Sequence, residues 1–169
     1  LPTIDHVNLF LTWGEVEGIV CSGIDKGKKT TYALLDERVP PTRELCREEA
    51  LARLASRYFQ SHSPAQLQDF VWWSGLTATE CRLAINLINT ELITETFDSR
   101  EYFIHQSWKG KNESKPVLRL LPAFDEYLIS YKNRTDVLPL EHHPKAFNRF
   151  GTFYPVILYN GCLLYTSPS

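Results

Sequence analysis

The spacing of apolar positions divides the start of this chain into a helix and two short strands. Apolar residues recur at helical spacing over residues 4–13, which predicts a helix with one buried face. Strand-like runs follow at residues 19–22 and 30–35. The turn between them, residues 23–29, contains two glycines and three lysines. The pattern therefore predicts a helix followed by a hairpin with a basic tip.

The middle of the chain predicts two further helices that follow each other closely. The first covers residues 44–59 and has a continuous apolar face. The second is expected to start at Ser63-Pro64-Ala65-Gln66. Ser63 can cap a helix, Pro64 suits the first helical position, and Gln66 can reach back to the N–H of the cap.

Stronger local signals mark the next elements. Ser74-Gly75-Leu76 is a short turn, and Thr77-Ala78-Thr79-Glu80 is a second capping box that starts a helix running to residue 89. Two short helices joined by a glycine-containing turn form a helix-turn-helix unit. Two strands are predicted after it, at residues 92–97 and 100–105, joined by a tight turn.

Three helices and a hairpin over residues 44–105 predict a complete winged helix. The helix and hairpin at the start of the chain match the end of another such unit. Residues 15–20 and 89–94 occupy equivalent places in the two, between the last helix and the hairpin, which is a weak internal repeat.

The last third of the chain differs in its pattern and predicts strands at residues 117–121 and 153–159. We therefore expect an α+β fold in which a tandem winged helix is followed by the start of a small β-rich module. Because the chain begins at Leu1 and contains no Met, its natural start is expected to be missing. The final residues resemble a foreign tail and are expected to make few buried contacts. The predicted segments are 1–40 (end of one winged helix), 41–108 (a complete one), 109–161 (β-containing module) and 162–169 (tail).

Composition restricts the classes of function. The chain has 169 residues, 43% of them hydrophobic, and a net charge of -2, so any surface that binds nucleic acid must be local. No apolar run reaches the roughly 18 residues of a membrane span, and no export signal is visible. The four cysteines are widely spaced, which argues against a zinc site and favours reduced thiols in a cytoplasmic protein. We expect no metal and no cofactor.

Four blocks of sequence, in this order, carry a resemblance to a known family. They lie within residues 18–40, 52–76 and 117–134, and the chain resembles the bacterial winged-helix proteins related to the AlkZ and YcaQ DNA glycosylases. The blocks are Gly18-Ile19-Val20-Cys21-Ser22-Gly23, Tyr32-Ala33-Leu34-Leu35-Asp36-Glu37-Arg38-Val39-Pro40, Asp69-Phe70-Val71-Trp72-Trp73-Ser74-Gly75-Leu76, and Leu121-Pro122-Ala123-Phe124-Asp125-Glu126-Tyr127-Leu128 with Tyr131-Lys132-Asn133-Arg134 behind it.

The resemblance implies a DNA-repair protein of the bacterial nucleoid that binds double-stranded DNA on a concave surface of tandem winged helices, followed by a β-barrel-like module. Characterised members of the family excise alkylated bases, including those in crosslinks. Their catalytic Gln-x-Gln or Gln-x-Asp motif is expected nearer the N-terminus, in a region absent here. Gln66 and Gln68 have its spacing by coincidence and are not assigned to it.

Two surfaces are candidates for DNA contact. The second helix of a helix-turn-helix enters the major groove, where arginine can pair with guanine and asparagine with adenine. The lysines of a hairpin tip can neutralise phosphates. The alternatives are a solvated or protein-facing helix surface and an ordinary charged turn. The candidate residues are Lys26, Lys28 and Lys29 on the tip, and Thr79, Arg82, Asn86 and Asn89 on the helix.

Two further pairs have alternative interpretations. Trp72 and Trp73 could stack on bases, although such a pair more often packs in the core, with one ring between helices. Asp125 and Glu126 are weak candidates for acid–base catalysis. Their structural alternative is a turn between two strands, with Lys132 or Arg134 as counter-ion. The whole chain has an alternative of another class: a winged-helix module for protein–protein interaction, without DNA-binding or enzymatic activity.

Overall fold

The computed structural model describes residues 4–41, 43–108 and 116–164. It divides into two compact units, Leu1–Glu44 and Leu45–Ser169. The fold mixes α-helices with three small antiparallel sheets, as expected for an α+β chain. In the described ranges no helix is both long and apolar enough to cross a membrane.

The first unit is a helix followed by a hairpin, as the sequence predicts. Helix α1 (Ile4–Val16) leads into strands β1 (Val20–Ser22) and β2 (Tyr32–Leu34), which pair antiparallel. Gly18 has φ +69°, a conformation that favours glycine, and it lets the chain leave the helix and enter β1. A short helix that the sequence analysis did not predict, α2 (Leu35–Arg38), continues directly from β2.

The second unit begins with three helices packed around a common core. They are α3 (Arg47–His62), α4 (Leu67–Ser74) and α5 (Ala78–Leu87). A left-handed Gly75 ends α4, and the predicted capping box of Thr77 and Glu80 starts α5. The buried residues of this core are Leu51, Ala55, Tyr58, Phe59, Ala65, Phe70, Cys81, Ala84 and Ile88.

The start of α4 differs from the prediction by three residues. Ser63 does not cap α4: its hydroxyl donates to the carbonyl of Phe59 at 2.5 Å and accepts from the N–H of His105 at 2.8 Å. The N-cap is Gln66, whose backbone N–H donates to the carboxylate of Asp69 at 2.9 Å. Residues 63–66 instead run extended beside the hairpin, since Ala65 exchanges two backbone hydrogen bonds with Phe103.

The hairpin after α5 has the predicted bounds. A 3-10 turn (Asn89–Glu91) leads into β3 (Leu92–Phe97), which pairs antiparallel with β4 (Arg100–His105) in full register. Asp98 and Ser99 form the two-residue turn with positive φ values of 47° and 59°. Two such residues in succession are typical of the turns that match the twist of a hairpin.

The C-terminal part of the second unit is a three-stranded antiparallel sheet with short helices. Strand β6 (Val156–Tyr159) lies between β5 (Leu118–Leu121) and β7 (Cys162–Leu164), and the core beneath the sheet consists of Leu128, Leu138, Ala146, Val156 and Leu163. The second predicted strand begins at Val156 rather than at residue 153. The elements are β5 (Leu118–Leu121), α6 (Glu126–Ile129), a 3-10 turn (Leu140–His142), α7 (His143–Ala146), β6 (Val156–Tyr159) and β7 (Cys162–Leu164).

Strand β7 corrects the expectation for residues 162–169. Cys162–Leu164 pairs with β6, Leu163 is only 5% exposed, and its N–H donates to the carbonyl of Val137 at 3.0 Å. The expectation of few buried contacts is therefore wrong for these three residues, because a third strand with a buried leucine completes the sheet. Residues 165–169 lie outside the described part of the chain.

Candidate functional site

The tip of the first hairpin is a tight turn that exposes all three of its lysines. Lys26 and Lys29 exchange two backbone hydrogen bonds of 3.0 and 3.2 Å, and Gly27 between them has φ +66°. The side chains of Lys26, Lys28 and Lys29 are exposed. Because the short turn carries three exposed lysines within four residues, the tip can approach a polyanion such as nucleic acid.

Helix α5 of the second unit has a buried face and a polar face. Cys81, Ala84 and Ile88 turn into the core. Thr79, Arg82 and Asn86 are exposed, and their spacing of three and four residues places them on one side of the helix. The capping box holds the start of this helix, since Thr77 accepts from the N–H of Glu80 and Glu80 accepts from the N–H of Thr77 at 3.0 Å.

A groove of about 280 Å³ lies between α5 and the hairpin β3–β4. One wall carries Arg82 and the amides of Asn86 and Asn89, and the facing strand contributes Glu101. The positive charge of Arg82 and the negative charge of Glu101 cancel. The remaining lining residues are mostly apolar: Leu67, Ile85, Leu92, Thr94 and Phe103. The groove can form hydrogen bonds with a polar ligand, but it does not attract anions as strongly as the lysine tip.

The second hairpin is not basic at its tip. Its cation, Arg100, pairs with Asp136 at 2.8 Å and lies over the ring of Tyr102. Glu95 and Asp98 are exposed on the same hairpin. The two hairpins therefore differ in charge, although each follows a helix in the same order.

Asp125 and Glu126 cap and begin a short helix and do not form the expected turn between two strands. Asp125 caps α6 by accepting from the N–H of Tyr127 at 2.9 Å. Glu126 accepts from the hydroxyl of Ser130 and lies 3.9 Å from the ring of His62. The expected counter-ions are wrong as well, since neither Lys132 nor Arg134 forms an ion pair with them among the described residues.

The tryptophans were expected in the core, and the structure leaves both partly exposed. Trp72 is 53% exposed, and its indole N–H donates to the carbonyl of Ile129 at 2.9 Å. Trp73 is 36% exposed and packs against Tyr58 and His62. Tyr58 and its ring neighbours Phe59 and Phe70 fill the core instead, since all three are fully buried.

One charged group that sequence reasoning missed is Asp69, which is only 3% exposed. Burial raises the pKa of its carboxyl group, and hydrogen bonds from backbone N–H groups partly oppose this rise. Asp69 borders a cavity of about 250 Å³ that is also lined by the rings of Tyr102, Tyr127 and Tyr131 and by Asp136. The signal, a carboxylate three residues after the N-cap Gln66, becomes visible only when the helix start moves from Ser63 to Gln66.

The histidines and cysteines do not suggest a metal centre in the described ranges. There, no three His, Cys, Asp or Glu side chains are arranged to hold an ion.

Comparisons with known proteins identify the family of this chain. The family profile described as DNA glycosylase AlkZ-like matches residues 9–164. An interstrand DNA cross-link repair glycosylase of Streptomyces sahachiroi is 25% identical over 164 residues, which cover 88% of this chain and 44% of that protein. The solved structure of Streptomyces sahachiroi DNA glycosylase AlkZ has the same fold with a TM-score of 0.76 at 22% identity, covering 93% of this chain and 46% of that one. The chain thus spans less than half the length of these relatives.

Proposed function

This chain belongs to the AlkZ-like DNA glycosylase family, and we propose that it is the part of a DNA-repair glycosylase that binds double-stranded DNA. The exposed lysine tip of the first hairpin carries this proposal, because it places three cations on a projecting loop of a chain whose net charge is -2. By analogy with the interstrand cross-link repair glycosylase, the whole protein would act on crosslinked bases in DNA, and the family resemblance extends this to alkylated bases.

The proposed architecture is a tandem winged helix. In the second unit, three helices precede a hairpin, and residues 63–66 run beside its second strand through the bridge of Ala65 and Phe103. In the first unit, α1 precedes β1 and β2 in the same order as α5 precedes β3 and β4. This repeated order supports two related modules, each with a hairpin that can contact the DNA backbone or minor groove.

Lys26, Lys28 and Lys29 would contact phosphates. Each neutralised phosphate releases condensed counterions, so affinity should fall steeply as the salt concentration rises. Thr79, Arg82 and Asn86 would face the major groove from α5. We propose that they contribute less, because α5 has a single cation on this face and Glu101 lies on the opposite wall of the groove.

Fluorescence anisotropy on two unrelated duplexes at several salt concentrations tests this ranking. Changing Lys26, Lys28 and Lys29 together to Ala should weaken binding to both duplexes and reduce the salt slope by about one unit for each lost contact. Arg82→Ala should weaken binding less.

The matched control changes the three lysines to Arg, which keeps the charge and should keep most of the affinity. If the triple Ala variant binds like the parent and Arg82→Ala abolishes binding to one duplex only, the helix reads bases and the tip is not the main contact.

A protein–protein interaction module is the alternative, and the groove beside α5 favours it. The groove has no net charge and a largely apolar lining, as a peptide-binding surface would. Absence of duplex binding by the folded parent at low salt would reject the DNA proposal and leave this alternative.

A further inference from the structure

Arg134 is held among aromatic rings on the surface of the second unit. Its Nε donates to the carbonyl of Leu128 at 2.6 Å. The centre of its guanidinium group lies 5.2 Å from the ring centroids of both Phe147 and Phe153, and 5.9 Å from that of Trp72. These contacts restrict the side chain before any ligand arrives, so that a bound anion would cost little further conformational entropy.

The charge of Arg134 has no counter-ion among the described residues. No described carboxylate forms an ion pair with it, and within the same ranges its two Nη groups donate to no acceptor. Burial lowers the pKa of the guanidinium group, and the negative charge of Asp69 partly opposes this shift. The rings offset part of the cost of burial through cation–π contacts, and an anion at the Nη edge would offset more.

The surface next to Arg134 offers flat rings and further cations. Trp72 is 53% exposed, and its hydrogen bond to Ile129 fixes the orientation of the indole. Phe124 is 56% exposed, and its ring centroid lies 6.2 Å from the ring centroid of Phe153. Two residues before and after Phe147 along the chain, Lys145 and Arg149 are exposed. An alternation of exposed rings and cations is typical of surfaces that bind single-stranded nucleic acid, where bases stack on rings and phosphates meet cations.

We propose that Arg134 and Trp72 form a site for an unpaired nucleotide, with its phosphate on the Nη edge of Arg134 and its base stacked on Trp72. A phosphate matches the planar guanidinium fork, which can donate two parallel hydrogen bonds. An acidic side chain could supply the anion, but it does not join that anion to a flat ring as a nucleotide joins its phosphate to a base. The proposal goes beyond duplex binding, because it uses neither the lysine tip nor the polar face of α5.

Anisotropy of a labelled oligothymidine with the whole chain tests the site. Arg134→Lys keeps the positive charge but loses the planar guanidinium group that can donate two parallel hydrogen bonds. Trp72→Leu removes the indole ring on which the base would stack. Each substitution should weaken oligothymidine binding at least about fivefold. Trp72→Phe should lose less. The matched control is Arg119→Lys on β5, an exposed arginine whose guanidinium contacts its neighbour's carbonyl, and it should bind like the parent. Circular dichroism and thermal unfolding confirm that each variant is folded.

Three results would overturn the site: a folded parent that binds no oligothymidine, equal binding by Arg134→Lys and Arg119→Lys, or poly-glutamate competing as well as the oligonucleotide. The variant with Lys26, Lys28 and Lys29 changed to Ala separates this site from the proposed duplex surface. It should keep oligothymidine binding while losing duplex binding, so each proposal can fail without the other.

Discussion

At the scale of single residues, the buried carboxylate of Asp69 joins two parts of the second unit. One oxygen accepts from the N–H of Gln66 at the start of α4, and the other accepts from the N–H of Lys132 after α6, both at 2.9 Å. Asn133 adds a longer contact of 3.4 Å. The carboxylate therefore satisfies backbone donors that would otherwise be buried without an acceptor.

Asp69→Asn should destabilise the chain by about 1–3 kcal/mol, because the new NH₂ group would face a backbone donor instead of accepting from it. Chemical denaturation measures the change. Gln68→Ala, an exposed substitution on the same helix, should change the free energy of unfolding by less than about 0.5 kcal/mol. An Asp69→Asn variant as stable as the parent would show that these hydrogen bonds do not hold the two parts together.

The pH dependence of this difference follows from the pKa of Asp69, which burial raises above its ordinary value of 3.8. A raised pKa means that the folded state binds the proton more readily than the unfolded state. This group therefore contributes more stability at low pH and loses it as the pH rises through its folded pKa. The stability difference between the parent and Asp69→Asn should shrink as the pH rises from 4 to 7. A difference that grows over this range would contradict the direction of the shift.

At the scale of elements, the helix-turn-helix depends on local capping. Gly75 ends α4 in the left-handed conformation, and Thr77 starts α5 two residues later. These signals are contained within a few residues, which is why the sequence located this turn and helix start correctly.

Thr77→Ala should lower the free energy of unfolding by about 1 kcal/mol, since the N–H of Glu80 loses its side-chain acceptor. Thermal unfolding followed by circular dichroism measures the loss. Thr79→Ala on the same helix is the control and should have a smaller effect, because Thr79 is exposed and lies after the cap. Equal effects of the two substitutions would mean that the capping box does not stabilise α5.

At the scale of the whole molecule, this chain alone is predicted to release no base from alkylated DNA. Excision needs a pocket for the extruded base and a group that stabilises the reacting sugar. Asp125 and Glu126 are engaged in capping α6 and in contacts with Ser130 and His62. The family resemblance assigns catalysis to a Gln-x-Gln or Gln-x-Asp motif, and Gln66 and Gln68 have its spacing only by coincidence, since Gln66 is the N-cap of α4.

Abasic-site formation on methylated duplex DNA is the measurement for this prediction, with a characterised alkylpurine glycosylase as the positive control. Detectable product from the purified chain, lost in Asp125→Asn or in Glu126→Gln, would contradict it and identify those carboxylates as catalytic.

The sequence by itself determined the elements whose signals are local. Helix spacing, glycine turns and the Thr77 capping box located α1, α5 and both hairpins, and four blocks of residues indicated the family. The two hairpins have nearly their predicted bounds, because the alternation of side chains and the residues of a tight turn depend only on neighbours in the chain.

Only the tertiary structure decided which polar and aromatic groups are buried. Ser63 bonds to His105, far along the chain, so α4 begins three residues later than its own sequence suggests. Trp72 is 53% exposed, whereas Tyr58 and Phe70 are buried in the core. The aromatic rings that surround Arg134 belong to residues up to 62 positions away in the chain. Long-range packing of this kind leaves no periodic signal in the sequence.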